Sequence, residues 1–185
     1  MEKLKQEVAA ITNRSTAAGP DPSKVRAYWS KDEISFAGYA DETSAVQSCL
    51  WAMSQGDENK IAEIMNPNSF KQLWRDSRPD PSEADKNGTS PDAIAERRSK
   101  LHRLAESLAP VTGFYLVSDN LIEKMPEQKG YRTAQTDAVF QVYFAGDGAT
   151  RGIWLTKSNG EWKFNQVVVL GGTGEKPSYN MTLWP

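Results

Sequence analysis

The sequence predicts an α+β fold in which N-terminal helices pack on a curved antiparallel sheet. Apolar residues recur at helical spacing between Asp41 and Leu108, then at alternate positions from Gly113 to Leu170. Gly146-Asp147-Gly148 and Ser158-Asn159-Gly160 punctuate the second half at hairpin distances. Helices first and short linked strands afterwards place the helices on one face of the sheet.

With 185 residues, one domain is the default. Residues 1–35 read as a polar helical arm or linker: Leu4, Val8 and Ile11 make a short stripe amid Lys and Glu, and Gly19, Pro20 and Pro22 then break it. The body spans 36–170. Asp41 is an N-cap, Val46, Cys49, Leu50 and Met53 form one apolar stripe, and Gly56 stops the first helix. Asp57 caps a second short helix through Ile61, Ile64 and Met65, which Asn66-Pro67 ends, and Phe70, Leu73 and Trp74 suggest a third. The stretch SRPDPSEADKNGTS carries no apolar residue larger than alanine and reads as a loop. Ser90 then caps the longest helix, with Pro91 at its first position and Ile94, Leu101, Leu104, Ala105 and Leu108 as its stripe. Strands follow in GFYLVS, AVFQVYFAG, RGIWLTK and EWKFNQVVVL, and residues 171–185 read as a Gly/Pro-rich tail.

Several chemistries are excluded by what the chain lacks. The run VVVLGGTGEKP ends in the pentapeptide that joins zinc-finger modules, yet a closed zinc site takes four Cys or His ligands and the chain holds only Cys49 and His102. The same run fails as a P-loop, because Glu175 precedes Lys176 and Pro177 stands where a hydroxyl residue is needed. It also fails as a dinucleotide fingerprint, because too few residues follow Gly174 for a helix and a second strand. No cofactor and no metal are expected. A net charge of −2 gives no basic field, so no nucleic acid partner is expected. No stretch approaches the roughly 18 apolar residues of a membrane helix, residues 1–10 lack the apolar core of a signal peptide, and one cysteine leaves the compartment open. The three Asn-x-Ser/Thr tripeptides, at Asn13, Asn87 and Asn180, match a short permissive motif and are read as chance.

Ala138-Val139-Phe140-Gln141-Val142, Gly152-Ile153-Trp154-Leu155 and Asn159-Gly160-Glu161-Trp162-Lys163-Phe164 resemble the terminal strands of the NTF2-like (cystatin-like α+β) superfamily, whose members often carry a Gly-x-Trp-Lys hairpin there. The likeness covers about 36–170, and FAGYADETSAVQSCLWAMSQGD resembles the opening of uncharacterised bacterial domains of this type. It implies a sheet wrapped around the first helix into a cone, and an arm at 1–35 that is the stump of an anchor or linker. Some members resemble ketosteroid isomerase or scytalone dehydratase, with acid and base groups in the cone, but a fold does not carry a function.

The residues do not supply that acid–base set, so no catalytic residue is assigned. His102 falls about 100° from the centre of its helix stripe and is expected at the surface. The basic residues from Arg97 to Arg103 read as a solvated helix face with ion pairs, and Cys49 as a small core residue. Strand alternation sets Ala138, Phe140, Val142 and Phe144 on one face and Asp137, Val139, Gln141 and Tyr143 on the other. Both faces are then partly apolar, which calls for a second cover or a homodimer through the sheet. Trp51, Gln141 and Tyr143 are the candidate cone-lining residues. Trp51 stands about 140° from Val46 on the helical wheel and is expected inside the cone against strand residues between Phe140 and Phe164. The leading functional expectation is a non-catalytic binding or assembly module. The alternative is a small-molecule isomerase, dehydratase or ligand-binding protein using the cone.

Overall fold

In the structure, a computed structural model, the described residues are 19–72, 90–125, 133–173 and 176–180. Among the described residues four α-helices, α1 (Glu42–Gln55), α2 (Glu58–Ile64), α3 (Pro67–Gln72) and α4 (Pro91–Ser107), accompany a curved, open antiparallel sheet. Its strands are β1 (Ala27–Ser30), β2 (Gly113–Leu116), β3 (Asp137–Ala145), β4 (Ala149–Ser158), β5 (Glu161–Thr173) and β6 (Lys176–Asn180), and they neighbour one another in chain order. The fold is α+β.

Each helix starts where its capping chemistry starts. Asp41 accepts from the Ser44 amide at 2.9 Å and Ser90 from the Ala93 amide at 3.1 Å, which satisfies amides that have no partner inside the helix. Asp57 caps α2 in the same way. At the other end of α1, Gly56 takes a left-handed conformation with φ 63° and returns its amide to Met53. The α1 stripe expected from the sequence, Val46, Cys49, Leu50 and Met53, is fully buried. On α4 the buried positions are Ala93, Leu101 and Leu104, with Leu108 just beyond, while Ile94 is only half-buried.

The β4–β5 turn is a two-residue loop in which Asn159 (φ 53°) and Gly160 (φ 84°) both adopt positive φ, the form whose twist matches a hairpin. Beyond it the register slips by one residue between Trp154 and Leu155, so that Asn165 is the extra residue of a β-bulge. That slip lets Trp162, Phe164 and Val167 all reach the helix-side core despite their uneven spacing.

Two boundaries expected from the sequence are corrected. The body reaches into the stretch read as an arm: Ala27–Ser30 pairs with β2 as an edge strand, so the helices follow the first strand instead of preceding the whole sheet. The arm's earlier part, 1–18, lies outside the described residues. The stretch read as a tail supplies Gly171–Thr173 to β5 and Lys176–Asn180 as β6, and the two pair antiparallel. The loop expected from 77 lies outside the described residues up to Ser90, whose capping role is as expected.

Both faces of the sheet are covered. Phe114, Phe140, Phe144, Leu155 and Phe164 meet the helices on one side. On the other, the β2–β3 connection folds back so that Leu121, Ile122 and Met125 lie over Val139, Trp154 and Val168. Farther along that face Tyr28, Tyr115 and Tyr143 stand side by side on neighbouring strands, with Val25 and Val117 packed against them. Over Val139, Trp154 and Val168 the chain thus provides a cover of its own.

Candidate functional site

The cone interior expected from the sequence corresponds to the space between α1 and the helix-side face of the sheet. Side chains fill it: Leu50, Phe114, Phe144 and Phe164 are each 0–1 % exposed, and Trp162 closes the end near the β4–β5 hairpin. Phe114 and Phe144 meet edge to face, with ring centroids 5.1 Å apart, the arrangement in which ring edges approach an electron-rich face. Among the described residues fully buried in this cluster the titratable group is Cys49, whose thiol burial pushes well above its ordinary range. A thiol held neutral in apolar surroundings is a poor nucleophile.

None of the three candidate cone-lining residues stands in that space. Gln141 and Tyr143 alternate with Phe140, Val142 and Phe144 and therefore occupy the opposite face, where Tyr143 packs on Tyr115 with centroids 6.0 Å apart. Trp51 is half-buried at the rim of the core, edge-on to Phe36 at 5.6 Å, with the Lys60 ammonium 4.9 Å from its ring. The wheel angle that separates Trp51 from Val46 brings the indole to the segment that enters α1. The single histidine is on the surface, as expected: His102 has a side chain 74 % exposed and faces Glu106 across one helical turn at 3.3 Å.

The segment entering α1 is pinned by a buried hydroxyl. Ser48 Oγ accepts from the amides of Ala37 and Gly38, both at 3.0 Å, and donates to the Gly38 carbonyl at 2.9 Å. This holds Phe36 and Tyr39 beside Trp51. Tyr39 sits edge-on to Phe36 at 5.2 Å and carries the Lys163 ammonium 3.5 Å from its ring. Its hydroxyl is buried with no hydrogen-bond partner, and burial together with the nearby Glu63 charge pushes its pKa up to about 12. Sequence reading missed this cluster because Phe36 and Tyr39 belong to no periodic pattern.

A second polar arrangement lies on the far face of the sheet. The buried Asp137 carboxylate accepts from the Trp154 indole at 3.1 Å, from Thr156 at 3.2 Å and from Thr136 at 2.9 Å. Thr156 in turn accepts from the bulge residue Asn165, whose carbonyl oxygen accepts from Ser69 of α3. The chain of bonds ties three strands and a helix together, with its carboxylate engaged by structural donors.

At the start of α1 an open groove of about 510 Å³ is lined by Asp41, Glu42, Thr43, Lys157 and Trp162. Partial burial raises the Glu42 pKa, against the opposing pull of Lys157 and a hydrogen bond with Asn120. Hydrogen bonds from Ser44 lower that of Asp41. Among the described residues no group of three or more His, Cys, Asp or Glu could hold a metal ion, and no helix is long and apolar enough to cross a membrane. No protein-family model, curated protein or solved structure matches the chain.

Proposed function

We propose that the domain is a non-catalytic binding or assembly module of the NTF2-like kind. The observation that supports this is the filled space beneath α1, where an enzyme on this scaffold would keep its substrate and its acid–base pair. Phe140, Phe144, Trp162 and Phe164 occupy it together with Leu50 and Met53, and the titratable group among them is a neutral thiol. Work in such a molecule falls to its outside. Phe36 and Val169 are large apolar side chains that remain exposed, at 44 % and 41 %. A homodimer is the partner we favour, met at the margins of the sheet because the face of β3 and β4 away from the helices is covered by residues 121–125.

Ligand-detected and amide-detected NMR with small apolar ring compounds tests the reading. Amides of Phe140, Val142 and Phe164 should stay unmoved throughout. Saturable shifts at those amides would show an accessible cavity and move the reading to the ligand-binding or isomerase class. Sedimentation of the purified chain should show a dimer that Val169→Glu dissociates, and a wild-type monomer at every concentration would remove the homodimer from the proposal.

A further inference from the structure

We draw no further inference here: the strongest candidate, the open groove between the first turn of α1 and the β4–β5 hairpin, lined by Asp41, Glu42, Lys157 and Trp162, carries nothing because it is a helix N-terminus already capped by Asp41, with nothing in the structure pointing to a ligand there.

Discussion

Ser48 and Tyr39 show how differently two polar groups can behave at one edge of a core. Ser48 uses its hydroxyl three times, so Ser48→Ala strands two amides and a carbonyl and should cost about 1–3 kcal/mol in urea unfolding. The Tyr39 hydroxyl has no partner. Tyr39→Phe should therefore leave stability unchanged or raise it by up to about 1 kcal/mol, and a loss of that size would reveal a partner for the hydroxyl. Asp41 and Glu42 form a second contrast, with opposite signs in pH. Because the Asp41 pKa is lowered from 3.8, its contribution is present above about pH 3.8 and is lost as pH falls through the lower folded value. The Glu42 pKa is raised from 4.5, so its contribution is present below about pH 4.5 and is lost as pH rises through the folded value. Glu42→Gln should accordingly raise the urea midpoint at neutral pH, with the gain fading as the solution is acidified. The capping role of Asp41 and the surface place of His102 were legible because each depends on its own helix. The place of Trp51 was not, since an angle on a wheel says which side a ring leaves but not what stands there.

At the scale of elements, local chemistry wrote most of what could be read. The caps of α1 and α4, the Asn159-Gly160 turn and the two-residue alternation of β3 and β4 all depend on neighbours within a few residues. What escaped was pairing at a distance. β1 has four residues, Ala27-Tyr28-Trp29-Ser30, too few for an alternation to stand out, and it is a strand because β2 lies alongside and Tyr28 meets Tyr115 with ring centroids 4.5 Å apart. Just after β1, Lys31 donates to the Leu108 carbonyl at 2.6 Å and to that of Ala109 at 3.3 Å. A cation on carbonyls that end a helix is favourable both as a hydrogen bond and against the helix dipole. Lys31→Met should cost about 1 kcal/mol and speed amide hydrogen exchange from Ala105 to Ala109, while the exchange of α1 stays as it is.

The molecule as a whole is a sheet covered on both sides, by helices on one and by its own β2–β3 connection on the other. The two-sided apolar pattern announced that a second cover was needed but not who would supply it, because Leu121, Ile122 and Met125 lie in a segment with no periodicity. The same gap explains why Gln141 and Tyr143 were linked to the cone: alternation separates two faces without saying which one the helices choose. Since β1 belongs to the body, shortening the chain has a threshold. A chain starting at Gly19 keeps β1, whereas one starting at Asp32 loses it together with Trp29, which packs on the main core, and Lys31. Thermal unfolding should find the second species less stable by several kcal/mol, as expected when buried aromatic surface is exposed.

The place of β1 in the chain also fixes when it can form. Strands β3 to β5 are joined by short hairpins, of which the β4–β5 turn needs two residues, and β2 reaches β3 across residues 117–136. β1 must instead wait for residues 31–112, an intervening 112 − 30 = 82 residues, to bring β2 to its side. Closing so long a loop costs entropy that only finished contacts repay, so the hairpins assemble early and β1 joins near the end of folding. Kinetics should bear this out: Trp29→Ala should speed unfolding while leaving the folding rate nearly untouched, and Phe164→Ala should slow folding. Equal effects of Trp29→Ala on both rates would place β1 in the nucleus and overturn this order.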